Sequence, residues 1–233
     1  MHYFANPGRF MRISEKLLRP LAFLTPMTFF IGLYFVFLAS PPDYQQGDTV
    51  RIMYIHVPSA WLALSIYCVI GIASLSALIW RHPLAHLSAR AASPLGAIFT
   101  LLALISGALW GRPMWGTYWV WDARLTSFLL LFFLYIGHIA LLHAFEDKER
   151  GERMAALLAI IGLINVPIIK FSVDWWNTLH QPASLIRSEG LAIDSAFLWP
   201  LGFMALAFHL YFLLIFLWRM KIFLWAQKNN RGI

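Results

Sequence analysis

The chain is short of charge, of thiols and of anything that reads as a β-strand. Asp, Glu, Lys and Arg make up 12% of its 233 residues, 60% are apolar, and the mean hydropathy is +0.67. A soluble domain carries roughly a quarter charged residues, so a water-soluble globule is excluded. Disorder is excluded too, because nothing here lacks apolar surface. The single cysteine, Cys68, lies inside an apolar run. It permits no internal disulfide, no thiol pair for redox chemistry and no Cys-based metal site. The net charge of +7 does not point to nucleic acid, since most basic residues flank apolar spans as they do in cytoplasmic loops.

What is present is a series of long apolar runs, approximately 20–40, 60–80, 94–111, 125–145, 154–171 and 196–218. Each approaches the ~20 residues a helix needs to cross a ~30 Å hydrocarbon core, and none shows period-two alternation. The expected fold is an all-α integral membrane protein, a bundle of six transmembrane helices in one domain over residues 1–233. The first run is longer than a signal-peptide core of ~7–15 residues and lacks a small-x-small cleavage site, so it is expected to remain as a span. No repeat, low-complexity tract or linker divides the chain, and residues 146–153 (EDKERGER) read as a solvated turn. Thirteen Lys and Arg flank one side: Arg9, Arg12, Lys16, Arg19, Arg81, Arg90, Lys148, Arg150, Arg153, Arg219, Lys221, Lys228 and Arg231. Four flank the other, Arg51, Arg112, Arg124 and Arg187, with Lys170 near a span end. The richer side is expected to be cytoplasmic and to hold both termini.

The unusual residues fall on the poorer side. The loop at 112–124 packs Trp115, Tyr118, Trp119 and Trp121 into seven residues, followed by Asp122 and Arg124 and bracketed by Gly111, Pro113 and Gly116. Tryptophans at span ends commonly form an interfacial belt, which accounts for Trp61, Trp80, Trp110, Trp199, Trp218 and Trp225. Four rings in one glycine-flanked loop also suit a platform for a flat apolar ligand. The neighbouring loops add Arg51, Tyr54 and His56 on one hand, and Asp174, Trp175, Trp176 and His180 on the other. His56 and His180 each precede a proline by two residues, so each is expected just outside a helical turn, facing the outer vestibule. Two imidazoles suit an axial pair on haem iron, and guanidinium groups suit its propionates. The chain has no C-x-x-C-H for thioether attachment of haem. A rival pair lies deeper. His138 and His209 each sit 13 residues in from an expected outer boundary, at ~20 Å depth. An intramembrane ionisable residue is a functional candidate by default, and a hydrogen-bonded helix pair is the plain alternative.

Residues 115–127 read WGTYWVWDARLTS, which resembles the tryptophan-rich WWD signature of the haem-handling proteins of cytochrome c maturation. Tyr118 stands where the fullest form of that motif has tryptophan. The six spans, the length and the flanking His56 and His180 resemble the short members of that family. The resemblance implies a bacterial inner-membrane protein that binds haem b non-covalently at the periplasmic face. His56 and His180 would be the axial ligands, and Trp115, Tyr118, Trp119 and Trp121 would support the macrocycle, with Trp175 and Trp176 nearby. Arg124, with Arg51 and Arg187, would meet propionates, and Asp122 would orient Arg124, an indole N–H or a chaperone group. The resemblance further implies transfer of haem to the periplasmic chaperone CcmE, in company with CcmD and the ATP-binding cassette subunits CcmA and CcmB. The protein's work would be positioning haem for covalent capture by the chaperone, with no hydrolytic or thiol chemistry. Two other classes remain open at this level: an electron-carrying b-type cytochrome using His138 and His209, and a subunit that moves haem across the bilayer.

Overall fold

The computed structural model describes residues 6–180 and 193–230. It is all-helical, with six helical units long and apolar enough to cross a membrane. The first is α1 (Pro7–Tyr34) with a π-turn at Phe35–Ala39, and a 3₁₀ turn at Asp48–Ile52 feeds α2 (Met53–Trp80). Then come α3 (Ala85–Trp115) and α4 (Ala123–Leu141). The fifth unit is broken into α5 (Lys148–Gly162) and α6 (Asn165–Trp175), and α7 (Ser195–Asn230) is the sixth.

Local chemistry sets the ends. The Asn6 side chain caps α1 by accepting from the Arg9 N–H, with Pro7 at the first helical position where its missing donor costs nothing. Asp122 and Asp147 cap α4 and α5 through their carboxylates. The α2–α3 turn carries Arg81 at φ 49°, a left-handed C-cap that closes the helix end. The fifth unit breaks at Leu163–Ile164 because Pro167 has no N–H to offer the Leu163 carbonyl and its ring clashes there. The Asn165 side chain then ties the break to α4 by donating to the Ser127 carbonyl at 2.9 Å.

Helices apolar on every side need close approach to pack, and small residues supply it. A methyl group at Gly96 would fall 2.1 Å from the Tyr135 ring, and one at Gly162 would fall 2.0 Å from the Tyr67 hydroxyl. Both tyrosines are fully buried beside Leu62, Ile66 and Ile70 of α2, and the Tyr135 hydroxyl donates to the Ala63 carbonyl at 2.6 Å. On the other flank α1 packs against α7, with Phe35 stacked on Phe203 and Gly32 against Met204.

Glu15 and Lys221 form an ion pair at 3.3 Å, which places the start of α1 beside the end of α7. The opposite end of the bundle gathers the starts of α2 and α4 and the ends of α3 and α6. Several helix limits differ from the hydropathy reading. α3 continues through Arg112 to Trp115, so the aromatic loop proper is residues 116–122. α2 starts well before residue 60 because the 3₁₀ turn winds the chain upstream of Pro58. His56 therefore lies within a helix, not just outside one as its nearby proline suggests.

Candidate functional site

The N-terminal turns of α2 and the C-terminal half of α3 lie against each other, and His56 is at their contact. Its Nδ1 is 3.0 Å from the Ala103 carbonyl and 3.3 Å from the Ser106 hydroxyl. A carbonyl can only accept, so in the neutral ring Nδ1 carries the proton and Nε2 keeps its lone pair. The ring rests on Gly107, where a methyl group would fall 2.8 Å from Cε1. The Trp110 indole meets it edge-on at 5.7 Å and is itself fixed by donating to the Gln46 side chain at 2.8 Å. Ala103, Ser106, Gly107 and Trp110 follow helical spacing, so they line one face of α3.

His180 faces this ring from the far loop. The two imidazole centroids are 6.4 Å apart with the planes at 32°, and Trp115 flanks His180 at 6.1 Å. Trp115 lies over Gly111, where a side chain would fall 2.9 Å from the indole. Arg124 reaches His180 Nδ1 at 3.4 Å. The same guanidinium donates to the Ser172 hydroxyl and to the carbonyls of Ile169 and Lys170. Arg124 therefore bolts the start of α4 to the end of α6 and holds the second histidine. Since a guanidinium only donates, His180 Nδ1 acts as acceptor in this arrangement.

The aromatic loop forms an open surface. Trp119 and Trp121 meet edge-on at 5.4 Å, and Trp121 is 77% exposed. Tyr118 is exposed and lies over Arg112. Trp175 stacks on Phe171 and touches Trp176, both indoles facing outward. One Asp122 oxygen caps α4 through Leu125 N–H, and Arg51 pairs with Asp48 at 3.1 Å. Arg187 lies outside the described residues.

The donor set has a definite chemistry. Among the described residues no cluster of three or more His, Cys, Asp or Glu side chains could hold a bare ion. Two imidazoles brought together without further protein ligands would suit a metal that brings its other ligands with it. Three buried polar atoms at this end have no partner among the described residues: Arg51 Nε, Trp119 Nε1 and Asp122 Oδ2. The first two are donors, and buried donors without acceptors are costly. A carboxylate-bearing planar ligand meets both needs, so iron protoporphyrin fits the residues present.

The deep pair is arranged differently. His138 is 2% exposed and its Nδ1 bonds the Ser93 hydroxyl at 3.1 Å. His209 is exposed on α7 and its Nδ1 bonds the carbonyl of Ala205 on its own helix at 2.7 Å. Each ring has a separate local partner. The sequence reading missed Gly107, Ser106, Gln46 and Ser172, and it placed Trp110 in the membrane belt. The helical run of small residues at 103, 106 and 107 was the signal for a close approach on that face.

A family model described as Heme exporter protein C matches residues 1–232. The Heme exporter protein C of Bradyrhizobium diazoefficiens is 57% identical over 217 residues, 93% of this chain and 82% of that protein. The Escherichia coli K12 protein of the same name is 42% identical over 231 residues, 99% of this chain and 93% of that one. A ccmC-like mitochondrial protein of cytochrome c biosynthesis from Marchantia polymorpha is 48% identical over 179 residues, 77% and 74% of the two chains.

Proposed function

Since the chain belongs to the Heme exporter protein C family, we propose that it holds haem b non-covalently at the aromatic, periplasmic end of the bundle and presents it to the chaperone CcmE. The protein is a multi-pass, haem-handling membrane component of cytochrome c biogenesis. The observation that carries the finer reading is the facing pair, His56 and His180, at 6.4 Å. When bound, haem would supply the vinyl edge that is presented to the chaperone. The chain's own residues do the positioning.

The two histidines are unequally prepared. His56 is anchored through Nδ1–H to the Ala103 carbonyl, the second-shell arrangement that aims Nε2 at a metal. His180 is held by Arg124 at Nδ1, so its neutral ring keeps a proton on Nε2. His180 would hold haem iron through Nε2 only with its ring proton moved to Nδ1, which requires Nδ1 to be free of Arg124, and the Arg124 guanidinium would then pair with a propionate. Trp119 Nε1 and Arg51 Nε are further donors for the propionates, and Trp115, Trp119 and Trp121 offer ring faces and edges. Tyr118, Trp175 and Trp176 extend the apolar rim, and Asp122 Oδ2 is left to accept from an incoming partner. Partners within the same system are CcmE, CcmD, CcmA and CcmB. The separate partners of His138 and His209 argue against a buried b-type haem.

The deciding experiment is the absorption spectrum of the purified chain titrated with hemin, set beside His56→Ala/His180→Ala. Wild type should give a low-spin, six-coordinate spectrum that the double variant loses. An unchanged low-spin spectrum in the double variant would overturn the assignment.

A further inference from the structure

At the end of the bundle that carries the chain termini, a groove of about 1030 Å³ runs along α1 and reaches α7. Arg9, Arg12, Lys16 and Arg19 line it from α1, and Lys221 lines it from α7. The four α1 residues follow spacings of three, four and three, so they form one stripe on the helix, ~15 Å long. Among the described residues Glu15 is the one acid lining the groove, and it is paired to Lys221. Arg12, Lys16 and Arg19 have no acidic or aromatic partner among the described residues. Two other cations at this end are engaged: Arg219 donates to the Ala91 carbonyl and lies over Phe223, and Arg90 lies over the same ring. The groove also has apolar lining, from Ile13 and Leu18.

Its depth is readable. No charged residue occurs from Pro20 to Pro42, a stretch whose ~34 Å covers the hydrocarbon core. Arg19 and Lys16 therefore lie within about a turn of the core, at headgroup level. Exposed Trp218, three residues before Lys221 on α7, marks the same interface. An anion at this depth faces a stripe of cations longer than one phosphate, with apolar side chains beneath it.

We propose that this groove is a binding site for an anionic phospholipid of the leaflet at the termini end, with a headgroup carrying two phosphates. The phosphates lie along Arg12, Lys16 and Arg19, and the acyl chains pass Ile13 and Leu18 onto the lipid-facing side of α1. Lys221, held by Glu15, closes the far wall. The volume is at the upper end for specific small-molecule sites, and basic pockets between spans are suited to such headgroups.

The test is native mass spectrometry of the delipidated full chain in detergent, titrated with cardiolipin, with phosphatidylcholine of matched acyl chains, and with inorganic phosphate. Cardiolipin adducts should form at concentrations where phosphatidylcholine gives none and phosphate does not compete. Arg12→Gln/Lys16→Gln/Arg19→Gln leaves the Glu15–Lys221 pair in place and should weaken cardiolipin binding on the order of a hundredfold. Arg12→Lys/Arg19→Lys should retain it. Equal retention of phosphatidylcholine by the wild type overturns the proposal without depending on any variant. Displacement by equimolar phosphate would indicate a free-anion site instead, and displacement by a polyglutamate peptide at the same concentration would indicate an acidic protein partner. Undiminished cardiolipin binding in the triple variant would also overturn it.

Discussion

Gly107→Ala isolates the seat of His56 from the stability of the bundle. The new methyl group would sit 2.8 Å from His56 Cε1 and 3.3 Å from Nδ1. The first distance forces a shift and the second is tight, and the imidazole cannot retreat freely while Nδ1 donates to Ala103 at 3.0 Å with Trp110 against its edge. Either the ring tips and the hydrogen bond is lost, at about 1 kcal/mol, or the crowding stays, at ~1–3 kcal/mol. The helix itself gains up to ~1 kcal/mol from replacing glycine with alanine, so folding should change little. The loss should appear in ligation, as a haem affinity about 10- to 100-fold lower for a 1.4 to 2.8 kcal/mol misplacement. The assay is a hemin titration followed by absorption, with thermal unfolding in the same detergent. Gly202→Ala is the matched control, because a methyl group there meets nothing within 4 Å. Wild-type affinity and an unaltered low-spin spectrum in Gly107→Ala would refute the claim that His56 is positioned by this glycine.

Arg124→Lys should shift the end of α6, from which the His180 loop leaves, and weaken propionate pairing, because one ammonium cannot replace a fork that bonds Ser172 and two α6 carbonyls at once. The expected result is about tenfold weaker haem binding with a mixed-spin spectrum, and a pure low-spin spectrum at wild-type affinity would count against it. His138→Ala should cost ~1–3 kcal/mol of stability by orphaning the buried Ser93 hydroxyl while leaving the haem spectrum alone. Disappearance of the haem spectrum in that variant would instead favour the deep-pair cytochrome. Gly162→Ala places a methyl group 2.0 Å from the Tyr67 hydroxyl, so the melting temperature should fall by several degrees with the overpacking. Circular dichroism melts in detergent would measure it, and an unchanged transition would contradict the packing described.

The local features of this protein were legible from its residues, because they are sums over neighbours in the chain. Six spans follow from six apolar runs, since ~20 apolar residues have few alternatives to crossing. The loop of clustered indoles marks its own end of the bundle, whereas Asp122, read in the sequence as a residue orienting Arg124, an indole N–H or a chaperone group, proved to cap α4 through one of its oxygens. His56 and His180 stood out by their position, but their meeting did not. What only the tertiary structure decided is which faces turn toward each other. Spans that are apolar all round carry no stripe to announce their inward side. The seating of His56 on Gly107, the conversion of Trp110 from a belt residue into a wall of the site, and the engagement of Arg124 with the end of α6 all depend on close contacts between helices far apart in the chain. Those contacts are set by the size and shape of side chains, which hydropathy does not record.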